Sequence, residues 1–439
     1  MPSNPLLILL AVAALPLLAL AGGYAMRRPV LLLAVYAAIV PFGSWLAVPG
    51  IEGSFGTFST LAAVAIMGLL LLHLLLGGER AAEIPAPLPW WTLLVFAIML
   101  TLGWSIVPSR TLEGIVVLVS LLLFYVVASL VDVRPAELTA IGTASVVAGA
   151  LVGITAAVQF ATGTMALEPV TEVPRFALAG GGGDVGDPNI TAAGLLLPLS
   201  IAAFRLVERG RPPPRRLMIG VAVVLIVGAI LLTGSRGGIL GIVVVAAVLL
   251  LADPAHRPRL RHVALAVLAT GVLAVGLAPE DLQERLQDSS STGRTDIWQI
   301  GLSACPDYCL QGSGWATFGE VHARGLLESP ERTGWVFGYE PHNVWLQVLV
   351  QAGVLGFVAF TGALLVSFQW LRRVPTAWRG PPLAALSALL ASNIFLSNLD
   401  FKYFWLTLLY VNLAVTAAGP RGDQRPTPTV HEPALLPGR

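Results

Sequence analysis

Apolar residues in this chain come in long runs, covering 4–22, 29–48, 58–76, 88–106, 111–131, 138–160, 189–207, 216–233, 237–252, 261–278, 343–371, 381–397 and 400–418. About 20 such residues cross a bilayer as a helix. The pattern predicts an all-α polytopic membrane protein with 12 or 13 transmembrane helices, 12 if the last two runs are one broken helix. The first run lacks a basic flank and a clear cleavage site, so it is read as a retained span. Residues 1–278 then form a transmembrane block with an outer loop at 161–188. Residues 279–342 form an extracytoplasmic loop, 343–419 the C-terminal spans, and 420–439 a Pro-rich cytoplasmic tail.

Composition agrees. Of 439 residues, 56% are hydrophobic and only 12% charged, against about 25% charged in soluble domains. The mean hydropathy is +0.80. A net charge of +1 argues against nucleic acid as a partner. Disordered, collagen-like and disulfide-scaffold classes are excluded too. Membrane lipids are the expected solvent.

Basic residues set the sidedness. Eighteen of the 26, including Arg134, Arg205, Arg211, Arg215, Arg216, Arg372, Arg373 and Arg379, fall on one side, which is therefore cytoplasmic. Arg110, Arg175, Arg236, Arg285, Arg294, Arg324, Arg332 and Lys402 fall on the other. Trp45, Trp104, Trp370 and Trp405 lie near span ends, as interfacial belt residues do.

The loop 279–342 holds ten acids and four arginines, so it is solvated. It is expected to contain short helices: one at Glu280–Gln287, and one beginning near Thr292 or Gly293 with Asp296 in its first turn, where a negative charge suits the helix dipole. Cys305 and Cys309 are four apart and share a helical face; a disulfide and a pair of free thiols both remain open. No four-ligand pattern accompanies them, which discounts zinc.

Because the outer basic residues oppose the positive-inside bias, each needs a reason. Arg285, Arg324 and Arg332 sit among acids as solvated partners, and Arg110 and Lys402 at span ends can snorkel. Arg236 is different. It lies in Thr233-Gly234-Ser235-Arg236-Gly237-Gly238, a short turn between two spans. Small residues such as Ser235 and Gly237 let a bulky ligand approach the backbone, and a guanidinium pairs bidentately with phosphate oxygens. Arg294 and Trp298 lie one helical turn apart, a pairing that suits a sugar phosphate; the competing reading is a packed helix with Arg294 paired to Asp288 or Asp296.

His342, in Glu340-Pro341-His342-Asn343, occupies the outer N-terminus of a span. That position disfavours the imidazolium, so the ring can accept a proton near pH 7. Glu340 pulls the other way, and the alternative role is a helix cap. His73 reads as a packing residue and His322 as a loop residue. Asp187-Pro188-Asn189 is a natural N-cap, while the run Gly180–Gly183 before it suggests a loop over which substrate passes. Arg175 is another cation of that loop.

The ordered set Asp187-Pro188-Asn189, Gly234-Ser235-Arg236-Gly237-Gly238, Gly293-Arg294 with Ile297-Trp298, Gly312-Ser313-Gly314 with Thr317-Phe318, His342-Asn343 with Leu346-Gln347, and Gly353-Val354-Leu355-Gly356 resembles the O-antigen ligase and polymerase superfamily. The resemblance spans roughly residues 175–360. It implies a GT-C-like extracytoplasmic glycosyltransferase in a bacterial inner membrane. The donor would be a glycan on undecaprenyl diphosphate; the acceptor, a lipid A–core sugar or another glycan. By the same resemblance His342, Arg236 and Arg294 are essential, and Arg175, Asp187, Asn189, Ser235, Gly237, Trp298 and Asn343 line the substrate site.

The chemistry agrees with the residues. His342 takes the acceptor hydroxyl proton, and the arginines stabilise the departing diphosphate without a metal or cofactor. There is no Asp-X-Asp motif. The rival class, a secondary transporter or flippase, usually shows midplane charges and internal repeats. Here the spans are nearly free of carboxylates, and the polar chemistry lies on one side.

Overall fold

The computed structural model describes residues 28–43, 57–76, 83–167, 174–178, 186–208, 210–252, 294–328 and 339–419, with isolated positions 23, 261 and 276. It is a helical bundle. In chain order the helices are α1 Pro29–Ile39, α2 Phe58–Leu76, α3 Leu88–Leu100, α4 Pro108–Ser129, α5 Pro135–Thr162, α6 Pro188–Gly194, α7 Leu196–Val207, α8 Pro213–Leu232, α9 Arg236–Ala252, α10 Arg294–Ser303, α11 Cys305–Tyr308, α12 Phe318–Leu327, α13 Val344–Trp370, α14 Thr376–Ser392 and α15 Lys402–Ala418. Between α5 and α6 a short antiparallel pair, β1 Ala166–Leu167 and β2 Pro174–Arg175, joins Ala166 to Arg175.

Proline opens many of these helices. It stands first in α1, α4, α5, α6 and α8, where its missing N–H would have had no intrahelical partner. Gly163, at φ 65°, closes α5 in the left-handed conformation. Among the described residues six helical stretches are long and apolar enough to span a bilayer: Phe58–Leu76, Pro108–Ser129, Pro135–Thr162, Pro188–Val207, Pro213–Leu232 and Val344–Arg373. Pro29–Phe42, Leu88–Gly103 and Arg236–Leu251 are apolar but shorter. The protein, nearly all helical among the described residues, is therefore a polytopic membrane protein. The expected runs 4–22 and 261–278, the glycine run, the Glu280–Gln287 helix and the tail lie outside the described residues. The last two runs are two helices, separated by residues 393–401.

The bundle packs α9 on α14, α5 on α1 and α8, and α13 on α3. Small residues permit the closest approaches, as is usual in lipid. A Cβ on Gly153 would lie 2.6 Å from the Leu225 carbonyl oxygen. At the centre Trp91 meets Phe404 and Trp405, with ring centroids 6.0 and 5.5 Å away. Trp405 is thus a core residue, its indole N–H donated to the Leu399 carbonyl at 2.7 Å, not the belt residue its position suggested. Trp370 is buried too, beneath the Arg373 guanidinium at 4.0 Å. Trp104 is 45% exposed, as a belt residue should be.

The chain directions put the arginines at 134, 205, 211, 372 and 373 at one end of the bundle. Those at 110, 175, 236 and 294, with Lys402, lie at the other, together with α10–α12. These three helices sit over α13 through Ile297, Phe318, Val321, Leu346 and Val350. Cys305 and Cys309 form a disulfide across α11. Arg110 does not simply snorkel; it pairs with Glu320 of α12 at 3.2 Å. Arg324 donates to the Tyr308 hydroxyl at 3.2 Å. His322 is no loop residue: it is buried in α12, with neither ring nitrogen hydrogen-bonded and its ring edge-on to Tyr339.

A second fixture joins this cap to the bundle. Helix α13 is broken at Gly353 (φ 70°, ψ −174°). Into the break runs Gly312-Ser313-Gly314. The Ser313 and Gly314 N–H groups donate to the carbonyls of Val350 and Gln351, and the Val354 N–H donates to Leu310. The glycine motifs at 312–314 and 353–356 are thus mates in one backbone junction. Non-helical backbone inside a span survives because protein groups satisfy it.

Candidate active site

Five chain segments meet at the end of the bundle that carries α10. They are β2, the N-terminus of α6, the turn between α8 and α9, the N-terminus of α10, and the approach to α13. The connection 393–401 between α14 and α15 lies among them.

Arg175 is buried, 1% exposed. Its Nε donates to the Thr233 carbonyl at 2.7 Å and its Nη2 to Asn189 Oδ1 at 3.3 Å. This links three motifs that are distant in sequence. Asp187 is the N-cap of α6 and accepts from the Asn189 backbone N–H at 2.7 Å and from its side-chain amide at 3.0 Å. Asn189 is therefore held between Arg175 and Asp187.

The 233–238 turn is set by its own hydroxyls. Thr233 Oγ1 accepts from the Ser235 N–H at 3.1 Å, and Ser235 Oγ accepts from the Gly238 N–H at 3.2 Å, capping α9. Gly234 takes φ 61°, which suits glycine. Arg236 is the first residue of α9 and half-buried. Gly237 packs against the next helix, since a Cβ there would lie 3.1 Å from the Ser392 carbonyl oxygen and 3.6 Å from Phe395.

Phe395 is the residue that sequence reasoning missed. The Arg294 guanidinium lies over its ring at 5.8 Å, the attraction of a cation for an aromatic face. Trp298 stacks on it at 6.3 Å and 28°. Its ring thus supports the first turn of α10, while its Cβ lies beside Gly237, the residue next to Arg236. An isolated Phe at the end of an apolar run carries no sequence signal of this.

His342 stands at φ 44°, which is strained for a residue with a Cβ. It is half-buried. Desolvation and then the Arg294 guanidinium push its pKa below the usual histidine range, while the Asp187 carboxylate raises it. The carboxylate that acts on it is thus Asp187, where the sequence suggested Glu340. The helix cap is not His342 but Asn343, whose Oδ1 accepts from the Leu346 N–H at 3.0 Å. The Asn343 N–H donates to Ser397 Oγ at 3.2 Å. His342 is left free of capping duty.

Asp400 was not singled out from sequence either. It accepts from the Trp315 indole at 3.0 Å. Burial is the main cause that pushes its pKa up to about 7; the Trp315 bond opposes this and the Glu340 charge adds to it. Among the described residues no group of three metal-ligating side chains gathers.

The structure therefore brings all ten sequence-derived residues to one end of the bundle. Arg175, Asn189, Ser235 and Asn343 are occupied in hydrogen bonds that shape the backbone. Arg294, Trp298 and Phe395 form one stack, and Arg294 and Asp187 act on His342.

Comparison with known proteins points the same way. A segment of the chain is 31% identical over 99 residues to the "Exopolysaccharide production protein ExoQ" of Rhizobium meliloti (strain 1021). That segment is 22% of this chain and 22% of the relative. Residues 221–361, the stretch that holds Arg236, Arg294 and His342, match the O-antigen ligase family.

Proposed function

We propose that this chain is a membrane glycosyltransferase that moves a glycan from undecaprenyl diphosphate to an acceptor hydroxyl on the extracytoplasmic face of a bacterial inner membrane. The observation that carries the reading is His342: strained, free of capping duty, and shifted toward its neutral form by burial and the Arg294 charge. A neutral imidazole is the form that accepts a proton.

The step runs as a single displacement. The acceptor oxygen attacks the anomeric carbon while His342 takes the hydroxyl proton. The bond from that carbon to the diphosphate oxygen breaks, the lipid diphosphate leaves with the electron pair, and the anomeric centre inverts. Arg236 and Arg294 meet the charge that grows on the leaving group, so charge stabilisation needs no metal. Arg175, Asn189 and Ser235 hold the turn that presents Arg236; Asn343 holds the backbone that presents His342. Trp298 holds Phe395 beneath Arg294, and Gly237 lets the turn pack closely against Ser392. The disulfide at Cys305–Cys309 accords with an oxidising compartment.

Two acceptors divide the reading. A lipid A–core sugar makes the protein a ligase, and the family matched over 221–361 favours this. A second repeat unit makes it a polymerase, which the likeness to an exopolysaccharide production protein favours. Transfer assays with purified lipid-linked donor test the common chemistry. His342→Ala is expected to lose transfer by about 10²-fold or more, and undiminished transfer overturns the base assignment. Gene deletion followed by glycolipid analysis separates the two acceptors: free polymer with uncapped core indicates a ligase, and single repeats on the core indicate a polymerase.

A further inference from the structure

The turn that follows α14 meets the surroundings of Arg236, Arg294 and His342 at once. A Cβ on Gly237, beside Arg236, would lie 3.1 Å from the Ser392 carbonyl oxygen. The Asn393 carbonyl accepts from the Val344 N–H at 3.1 Å, two residues after His342. Phe395 lies beneath Arg294. Residues 392–395 are thus the common neighbour of all three.

The side chain in the middle of this turn has no structural duty. Asn393 is 0% exposed, and among the described residues neither its Oδ1 nor its Nδ2 has a hydrogen-bond partner. The turn is made without it, by the Asn393 N–H donating to the Leu389 carbonyl at 3.0 Å and the Phe395 N–H to the Ser392 carbonyl at 3.0 Å. A buried polar group left unpaired is destabilising, and a leucine in the same space would not be. Gln347, one helical turn along α13 from Val344, is 3% exposed and its Oε1 is unpartnered too. Two carboxamides with unused hydrogen-bonding capacity therefore flank the Asn393–Val344 bond.

Their chemistry selects the ligand. Guanidinium groups suit phosphate. A carboxamide is neutral and both donates and accepts, as a sugar hydroxyl does in return. The surroundings are within reach of a ligand: Ile394 is 40% exposed, and His342, Phe395 and Ser397 are half-buried.

We propose that Asn393, with Gln347, hydrogen-bonds hydroxyls of the transferred glycan beside the arginines that hold its diphosphate. The inference rests on the proposed transfer from a lipid diphosphate and adds the residues that grip the sugar. The contact forms when substrate displaces the side chains over the amides, so groups unpaired in the free protein are paired in the complex.

The test uses the full chain in nanodiscs and two probes: the native lipid-linked glycan extracted from the source bacterium, and undecaprenyl diphosphate without sugar. Affinity is read from the rise in melting temperature as each probe is titrated. Wild type should bind the glycan-bearing lipid more tightly than the sugar-free one. Asn393→Leu fills similar space without polar atoms, so without ligand it should melt at or above wild type. It should bind the glycan-bearing lipid roughly tenfold more weakly, the loss of one or two hydrogen bonds, and the sugar-free lipid as wild type does. Gln347→Leu, on a different helix, should show the same selective loss, and it reads the same contact if Asn393→Leu does not fold. Unchanged affinity of these variants for the glycan-bearing lipid, or equal weakening toward both lipids, overturns the proposal and leaves the transfer reading standing. Failure of both probes to stabilise wild type overturns the transfer reading and this inference with it.

Discussion

The Trp298 indole N–H donates to the Pro341 carbonyl at 2.9 Å, so helix α10 is tied to the residue ahead of His342. Trp298 also stacks on Phe395, which lies under Arg294. The aromatic pair thereby fixes the spacing between the arginine and the histidine. Losing it should leave both residues present but misplaced. Phe395→Ala is expected to lower kcat about tenfold or more while KM changes less, because a small displacement of catalytic groups costs rate out of proportion to binding. Phe395→Tyr keeps the ring and should keep most of the rate. Equal kcat for Phe395→Ala and wild type would show that the stack does not position Arg294.

The pH dependence gives a signed test of the same trio. In the folded protein the His342 pKa lies below its ordinary value, so the neutral base survives to more acid pH. The acid limb of kcat/KM should therefore fall below pH ~6.5, the unperturbed histidine value. Arg294 lowers this pKa and Asp187 raises it. Arg294→Gln should then move the limb to higher pH, and Asp187→Asn to lower pH. Both variants lose rate, but the opposite directions follow from charge alone. Shifts of the same sign would break the assignment. Stability follows by linkage: a histidine of depressed pKa binds fewer protons folded than unfolded, so its contribution is present above the unfolded pKa and lost as pH falls from there through the lower folded pKa.

Much of this was legible in the sequence because membrane spans are written in composition. Runs such as 58–76, 216–233 and 343–371 need no partner to be recognised, since each satisfies its own backbone. The outer arginines stood out because their charge conflicts with the side of the membrane they occupy, and His342 because it stands just before an apolar run. Contacts across segments were not legible. Nothing in Gly312-Ser313-Gly314 says that it fits a break at Gly353, 40 residues on in sequence, because each half of that junction is an ordinary glycine motif by itself. Trp405 was misread for a related reason: a span end in sequence is a bundle centre when the neighbouring aromatic residues close over it.

Asn343 and Ser235 illustrate a different limit. The resemblance implies that both line the substrate site. Each also caps a helix. Replacing an N-cap by Ala costs about 1 kcal/mol. Asn343→Ala should thus lower thermal stability in detergent and reduce kcat through His342, and Asn343→Asp, which caps equally well, should restore most of both. Full loss in Asn343→Asp with unchanged melting would instead make the Asn343 amide a substrate contact.

The junction at Gly353 makes the strongest stability prediction. Gly353 has φ 70°, a region that residues with a Cβ rarely adopt. A Cβ there would come within 2.7 Å of the Leu310 carbonyl oxygen, and one on Gly312, at φ 89°, within 2.5 Å of the Gln351 carbonyl oxygen. Both obstacles are backbone, so no side-chain rotation relieves them. Gly353→Ala and Gly312→Ala should each destabilise the protein by about 1–3 kcal/mol, the strain of a disfavoured backbone conformation. The neighbouring Gly356, in the same motif, has no positive φ, but a Cβ there would overlap the Ala352 Cβ, which has no rotamer to turn into, so Gly356→Ala strains packing alone. Thermal melting should place all three variants below wild type. The same break also explains why α13 is cut where it is: without it the helix would have no carbonyls to offer Ser313 and Gly314, and the cap bearing Arg294 would lose its hold on the helix bearing His342. The Gly353 variant should therefore lose transfer activity at temperatures where it remains folded, whereas a substitution at the opposite end of α13, such as Ser367→Ala, should not.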